Sequence, residues 1–403
     1  MRTWVGYPPS YKACMPALPS TERILLGPGP SMIPPRVIRA MAAPTLSHLD
    51  PDFVPIMDEV RTRLHQLFRA DHDAFTIAVS GTGTAAMEAA VANSVRDGTR
   101  VVIVVTGYFG DRLAQMCERY GGRVRRIEVE WGRAADPQEL RDELRKERAD
   151  IVGFVHAETS TGVQNPAKDL AHVAREHEAL TIADLVTSLG GHPVEMQKWG
   201  IDLAYSCTQK CVGAPSGLAP IAVAGPARAR TFKCRSFYLD LNLLEDYWLN
   251  HKYHHTMSAS LMYALREALL MIDEEGLDKR WARHERHHQV LAAGLSAMGL
   301  ALLPPAAERL WTLNAVRVPD GVKEASIRRM LLQVFNIEVG AGLGPLAGKI
   351  WRVGLMGASS TPQALLLFLG ALEAALAAHG HRGVPGAGVA AAAAALGQSP
   401  ARA

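Results

Sequence analysis

The chain has 403 residues, of which 48% are hydrophobic and 21% are charged, as in an ordinary globular protein. This length leaves room for one large domain and a smaller one. The formal net charge of +3 is small and basic residues alternate with acidic ones, so the composition argues against a nucleic-acid-binding protein.

Cysteine content and the apolar runs indicate where the protein resides. The five cysteines are odd in number and form no CxxC pair, which favours a reducing compartment. Cys207 and Cys211 flank Lys210 without further ligands nearby, so we expect no metal site. No apolar run approaches the roughly 20 residues that span a bilayer, and residues 1–20 lack the apolar core of a signal peptide. We therefore expect a cytoplasmic protein without a membrane partner.

The first two thirds of the chain predict an α/β domain. Residues 1–25 are rich in proline and are predicted to form an irregular N-terminal arm, followed by a large domain over 26–279. Apolar runs typical of strands alternate there with amphipathic helical patterns. The predicted strands are 75–79, 101–106, 124–129, 151–156, 180–183 and 203–206, and the predicted helices are 55–70, 84–94, 112–120, 137–147 and 168–177. This alternation predicts a mostly parallel sheet with helices on both faces.

The remaining elements predict one reversed strand and a second domain. A strand at 218–223 follows the strand at 203–206 after a loop too short for a crossover helix, so the two are predicted to be antiparallel. Helices at 259–275 and 279–298 lead to a smaller α+β domain over 280–382 with strands at 312–318 and 350–353 and a helix at 326–335. The tail, 383–403, is rich in alanine and glycine and is predicted to be disordered.

Lys210 lies where an apolar strand ends in a loop of small residues. A lysine at a strand end is most often a solvated surface residue. Burial and nearby positive charge, however, lower the pKa of the amine and make it a nucleophile. Because ligands bind at the carboxyl ends of the strands in open α/β sheets, the other strand-end loops decide between these alternatives.

Four such loops carry suitable groups. Ser80-Gly-Thr-Gly-Thr84 combines backbone amides, hydroxyls and a helix start suited to a phosphate, although such turns are often structural. Phe109 offers an aromatic face for a flat heterocycle, or packs in the core, and the loop at 156–162 is rich in hydroxyls. Asp184 ends an apolar strand, where a carboxylate caps a helix or meets a cation such as a protonated pyridine nitrogen.

The chain resembles the class V, fold type I aminotransferases that use pyridoxal 5′-phosphate, in particular the alanine:glyoxylate and serine:pyruvate group. The resemblance extends from Leu25 to about His379. It rests on Ser80-Gly-Thr-Gly-Thr84, His156-Ala-Glu-Thr-Ser-Thr-Gly162, Asp184-Leu-Val-Thr-Ser-Leu-Gly-Gly191, Thr208-Gln-Lys-Cys-Val-Gly-Ala-Pro215, Tyr253-His-His-Thr256 and Gly344-Pro-Leu-Ala-Gly-Lys-Ile-Trp-Arg-Val-Gly354. It implies a large domain with a mostly parallel seven-stranded sheet and a smaller C-terminal α+β domain.

The resemblance implies two catalytic residues and a set of cofactor contacts. Lys210 would hold the cofactor as a Schiff base and move the proton, and Asp184 would keep the pyridine nitrogen protonated. Val186 and Phe109 would face opposite sides of the ring, and Thr159 would lie near its oxygen. Phe109 departs from the tryptophan of many relatives, which reduces the stacking area. The phosphate would contact Thr82, Gly83, Thr84 and Gln209, joined from the neighbouring subunit of a homodimer by Tyr253 and Thr256.

The resemblance also implies a substrate site. Arg352 would bind the α-carboxylate, a task suited to a planar guanidinium, and Gly29 and Thr159 would border the substrate. The leading interpretation is transfer of an amino group from alanine or serine to glyoxylate or pyruvate. An alternative is the (S)-ureidoglycine:glyoxylate aminotransferases, although those enzymes carry asparagine where Tyr253 stands.

Two other classes share the fold and are less consistent with the sequence. A lyase of the cysteine desulfurase type needs a mobile cysteine well beyond the lysine, and no cysteine follows Cys234. A non-catalytic regulator needs a DNA-binding module, and no helix-turn-helix pattern precedes the fold.

Overall fold

The computed structural model describes residues 21–229, 233–381 and 383–398, so most of the predicted arm and the last five residues of the predicted tail lie outside the described residues. The described strands are β1 Ile24–Leu25, β2 Phe75–Gly81, β3 Arg100–Val105, β4 Arg123–Glu128, β5 Ile151–Val155, β6 Ala157–Glu158, β7 Val163–Gln164, β8 Leu180–Asp184, β9 Leu203–Tyr205, β10 Gly217–Val223, β11 Leu313–Arg317, β12 Ile337–Glu338, β13 Gly340–Ala341 and β14 Ile350–Gly354. The described α-helices are α1 Pro35–Met41, α2 Val54–Phe68, α3 Gly83–Ala92, α4 Tyr108–Arg119, α5 Pro137–Lys146, α6 Ala167–Glu176, α7 Met196–Trp199, α8 Gly225–Ala229, α9 Leu241–Asn250, α10 Ala259–Glu275, α11 Leu277–Ala297, α12 Glu324–Val334, α13 Pro362–Ala378 and α14 Ala387–Gly397.

The large domain is built on a seven-stranded sheet with the order β2-β10-β9-β8-β5-β3-β4. The neighbours β3–β4, β3–β5, β5–β8 and β8–β9 are parallel, whereas β10 is antiparallel to both β2 and β9. Strands β5 and β8 are buried along their whole length, as expected for parallel strands covered by helices on both faces. The predicted α/β class and the predicted antiparallel strand are confirmed.

The smaller domain has its own core. Strands β11, β14 and β13 form an antiparallel sheet. The core of this domain includes Val316 and Trp351 from the sheet and Leu369 from α13. Strand β1 pairs in parallel with β12, and Leu26 lies in this core. Helix α11 starts against the large-domain core at Leu277 and continues into the smaller core at Leu291, so one helix spans the predicted boundary at 279 and 280.

The predicted disorder of the tail is wrong for residues 387–397, which form helix α14. Alanine is the best helix former, and its small side chains allow close packing. Ala392 is fully buried. The Glu373 carboxylate accepts hydrogen bonds from the amides of Gly386 (3.0 Å) and Gly388 (2.6 Å), which stabilises the helix N-terminus. Helix α14 packs against α11 and α13. The sequence does not reveal this packing surface, so the low complexity of the tail predicted disorder.

Candidate active site

Lys210 lies in the turn between β9 and β10 and is 8% exposed. Its Nζ donates a hydrogen bond to the carbonyl oxygen of Pro28. The loop that carries Pro28 is itself attached to the turn, because the hydroxyl of Ser31 donates to the Lys210 carbonyl oxygen at 2.8 Å. Burial lowers the pKa of Lys210, and the nearby Arg352 lowers it further. The amine is therefore shifted toward the neutral, nucleophilic form.

Gly29 lies directly against the lysine side chain. A Cβ atom at Gly29 would come within 2.6 Å of both Cδ and Cε of Lys210, and the residue has a φ of +116°. Only glycine adopts this backbone readily and leaves the lysine its space. The structure thus places Gly29 directly beside Lys210.

Asp184 ends β8 and is 2% exposed. One carboxylate oxygen accepts a hydrogen bond from the Val186 amide (2.8 Å), and the other accepts from the Tyr205 hydroxyl (2.9 Å). Burial raises the pKa of Asp184 to about 7, and the two hydrogen bonds oppose this rise. Asp184 does not cap an α-helix, since turns separate it from α7, which starts at Met196. Among the described residues it forms no ion pair, so the carboxylate is suited to a cation from a bound molecule.

The loop between β2 and α3 is a candidate phosphate site. Thr82 precedes the helix and Thr84 lies in its first turn, both exposed, so two hydroxyls accompany the free amides at the start of the helix. Gly83 approaches the site closely, because a Cβ there would lie 3.2 Å from side-chain atoms of Cys207 and Val186. The buried Gln209 Oε1 has no partner among the described residues. The hydroxyls and the free helix amides are donors that fit a phosphate ester, whereas Gln209 Oε1 is an acceptor, so Gln209 offers a phosphate only its amide nitrogen.

Arg352 and Thr159 border the same space from β14 and from the end of β6. Arg352 Nη1 donates to the Thr159 carbonyl oxygen at 3.3 Å and Nε donates to Ala341 O at 2.6 Å. The Thr159 and Thr187 hydroxyls are 2.5 Å apart. Burial lowers the pKa of Arg352 to about 10, so it remains a cation at neutral pH. It has no carboxylate partner within 4 Å in the described part of the chain.

Phe109 is held by a residue that sequence reasoning missed. The fully buried carboxylate of Glu158 accepts hydrogen bonds from the amides of Phe109 (3.2 Å) and Gly110 (3.3 Å) and from the Ser160 hydroxyl (2.6 Å). Burial raises the pKa of Glu158, opposed by these bonds. The sequence did carry a signal for Glu158, because a carboxylate within a hydroxyl-rich loop at a strand end stands out as Asp184 does. Tyr205 was missed because its role depends on strand pairing, which places it beside Asp184.

Tyr253 and Thr256 are not joined to these groups. Tyr253 is 60% exposed and Thr256 is exposed, in the loop between α9 and α10. Neither side chain hydrogen-bonds to another predicted site residue in the described ranges. Their neighbour His255 does reach the phosphate loop, where its Nε2 lies 2.7 Å from the Ser80 hydroxyl.

The fold and site define a class of protein. A mostly parallel α/β domain with a smaller C-terminal domain and a buried lysine and aspartate at strand ends is the fold type I architecture of enzymes that use pyridoxal phosphate. The chain belongs to the class V aminotransferases, because the family model Aminotransferase class-V matches residues 23–351. It is an aminotransferase whose cofactor is pyridoxal phosphate, which confirms the resemblance.

Individual relatives cover nearly the whole chain. The crystal structure of ureidoglycine-glyoxylate aminotransferase from Bacillus subtilis is 39% identical with a TM-score of 0.92, covering 94% of this chain and 100% of its own. Alanine–glyoxylate aminotransferase from Nostoc sp. is 44% identical with a TM-score of 0.88, covering 92% and 100%. The alanine–glyoxylate aminotransferase of Drosophila melanogaster is 35% identical over 365 residues, 88% of this chain and 92% of the relative.

In the described ranges, every helix is too short or too polar to cross a membrane.

Proposed function

We propose that this protein is a homodimeric transaminase that moves an amino group from alanine or serine to glyoxylate or pyruvate, with Lys210 as the catalytic residue. The observation that carries the proposal is the buried lysine of lowered pKa beside the buried, unpaired Asp184. When bound, pyridoxal phosphate supplies an aldehyde for amines and a ring that accepts electrons from the substrate.

Lys210 would hold the cofactor through its aldehyde. Its Nζ would also be the base that moves the proton of the substrate α-carbon. Asp184 would stabilise the protonated pyridine nitrogen, and the hydrogen bond from the Tyr205 hydroxyl fixes the orientation of the carboxylate. A carboxylate that is destabilised by burial gains a cation as its partner.

The remaining residues bind and orient. Thr82, Gly83, Thr84 and Gln209 would bind the phosphate, and Phe109 and Val186 would enclose the ring. Thr159 would contact the oxygen substituent of the ring. Arg352 and Gly29 would border the substrate. The Arg352 guanidinium would bind the substrate α-carboxylate in bidentate fashion.

Exposed aromatic residues beside the phosphate loop support the homodimer with shared sites. Phe237 is 70% exposed, Tyr238 46% and Tyr253 60%, and Phe237 stacks on His254 at 5.2 Å between ring centroids. Contiguous exposed apolar surface of this kind marks interfaces. Tyr253 and Thr256 then bind the phosphate of the partner subunit. The cytoplasm is the proposed location, since the described cysteines Cys117, Cys207, Cys211 and Cys234 are unpaired.

Subunit mixing tests the shared sites. Lys210→Ala and Tyr253→Ala homodimers should each be impaired, whereas a mixed dimer contains one site with both native residues and should regain activity. Mixed dimers no more active than the two parents would contradict sharing.

Covalent capture is tested by borohydride, which should fix the cofactor to the wild type but not to Lys210→Ala.

A second candidate for the amino donor is (S)-ureidoglycine. The similarity to the ureidoglycine-glyoxylate aminotransferase of B. subtilis favours it, and the names of that enzyme and of the alanine–glyoxylate aminotransferases share glyoxylate. Donor choice depends on a few pocket contacts worth about 1–3 kcal/mol each. Mixing the pyridoxal form with alanine, serine, glycine or ureidoglycine and following conversion to the pyridoxamine form decides between them. Fast conversion with ureidoglycine alone would overturn the alanine or serine assignment.

A further inference from the structure

Arg112 lies between two parts of the cofactor site. It follows Phe109 by three residues on helix α4, and its guanidinium carbon is 5.0 Å from the Phe109 ring centroid and 5.1 Å from that of Tyr108. Its Nη1 donates a hydrogen bond to the Thr84 hydroxyl at 3.3 Å. One side chain therefore contacts both the ring-stacking residue and the phosphate loop.

Arg112 also lacks an acidic partner. Its neighbour Asp111 is paired with Arg126, and Arg126 binds Glu118 as well. Arg112 forms no ion pair among the described residues. Its charge is thus not neutralised by the protein.

The phosphate loop needs such a charge. A phosphate ester carries about −1.5 to −2 charges near neutral pH, whereas a helix N-terminus supplies only about half a positive charge. Thr82, Gly83, Thr84 and Gln209 are neutral. In the described part of the chain, Arg112 is the one cationic side chain that hydrogen-bonds to any of these four residues.

We propose that Arg112 is a cofactor-binding residue that donates a charge-assisted hydrogen bond to the phosphate while its guanidinium remains over the Phe109 ring. This inference rests on the proposed cofactor site. The contact with Phe109 holds the guanidinium beside the phosphate loop, and its charge supplies affinity for the phosphate.

The experiment compares pyridoxal phosphate with pyridoxal, which has the aldehyde and ring but no phosphate. The full-length chain is freed of cofactor by dialysis and titrated with each compound. Arg112→Gln should raise the Kd for pyridoxal phosphate about tenfold, as expected for one charge-assisted bond, and leave the Kd for pyridoxal unchanged. The Kd of Arg112→Lys for pyridoxal phosphate should lie between those of the wild type and Arg112→Gln, because lysine keeps the charge but lacks the planar guanidinium.

Two controls make the result specific. Arg119→Gln changes an exposed arginine on the same helix and should alter neither Kd, whereas Phe109→Leu should weaken both compounds equally. Equal losses for both compounds in Arg112→Gln, or no loss, would overturn the proposal. Failure of Lys210 to capture the cofactor covalently would instead contradict the proposed function. The result for Arg112 and the result for Lys210 can therefore be told apart.

Discussion

The guanidinium of Arg280 donates a hydrogen bond of 2.7 Å to the carbonyl oxygen of Cys211, the residue that follows Lys210. The same group donates to Gly190 O at 2.9 Å, in the segment after Asp184, and pairs with Glu275 at 2.6 Å. A single buried cation on α11 thus holds the segment of Lys210 and the segment after Asp184 together.

Replacing Arg280 should destabilise the fold. Arg280→Gln leaves two buried carbonyl oxygens without a donor, at about 1–3 kcal/mol each, so we expect the free energy of unfolding to fall by about 3 kcal/mol. Urea unfolding measures this. The exposed Arg329→Gln should change stability by less than about 0.5 kcal/mol. Equal stability of the two variants would contradict the assignment.

The titration of Asp184 should make the cofactor-free protein less stable as pH rises. The folded chain keeps the Asp184 proton up to about pH 7, while the unfolded chain releases it near the ordinary value of 3.8. The stabilisation is complete below the lower value and is lost between these two values, with a slope of at most about 1.4 kcal/mol per pH unit.

Unfolding measurements between pH 4 and pH 7 check this expectation against Asp184→Asn, which cannot titrate. The variant should lack this part of the slope. Bound cofactor should also remove it from the wild type, because a cation then pairs with the carboxylate. Identical slopes in the wild type and Asp184→Asn would show that another group is responsible.

Gly29→Ala should disturb Lys210 beyond the cost of backbone strain. Gly348 provides a matched comparison, since its φ is +74° but a Cβ there meets nothing within 4 Å. Gly348→Ala should therefore cost about 1–3 kcal/mol of stability from strain alone. Gly29→Ala should cost more and should also slow the covalent capture of pyridoxal phosphate, followed by absorbance. Normal capture kinetics in Gly29→Ala would refute the close contact.

Glu158→Gln should loosen the hold on the Phe109 backbone. An amide cannot accept from both the Phe109 amide and the Ser160 donors, so we expect a loss of about 1–3 kcal/mol in unfolding free energy and weaker cofactor binding. The exposed Glu139→Gln is the control, because it carries the same change on the surface. Unchanged cofactor affinity in Glu158→Gln would argue against a positioning role.

Helix α14 can be tested at two of its alanines. Ala392 is fully buried and Ala394 is exposed. Ala392→Asp places a carboxylate without a partner in an apolar contact and should lower stability by about 3 kcal/mol, whereas Ala394→Asp should be nearly neutral. Two equally stable variants would show that the tail does not pack on α11 and α13 in solution.

Much of this protein was predictable because its signals are local. The alternation of apolar runs and amphipathic helices predicted the sheet, and the direction of parallel strands placed Lys210, Asp184 and Thr82 at one edge. For residues 387–397 the same reasoning failed, since these alanines become a helix only with a surface to pack against.

The sequence by itself determined the family, the strand-end loops and the chemistry of each loop, because residue type and spacing set backbone preference and charge. Only the tertiary structure decided the partners of those groups. Tyr205 meets Asp184 through the pairing of β8 and β9, Glu158 reaches Phe109 across 49 residues, and Arg280 reaches Cys211 across 69. Hydrogen bonds between residues so far apart in the chain depend on strand order and domain packing, and local preferences do not specify these.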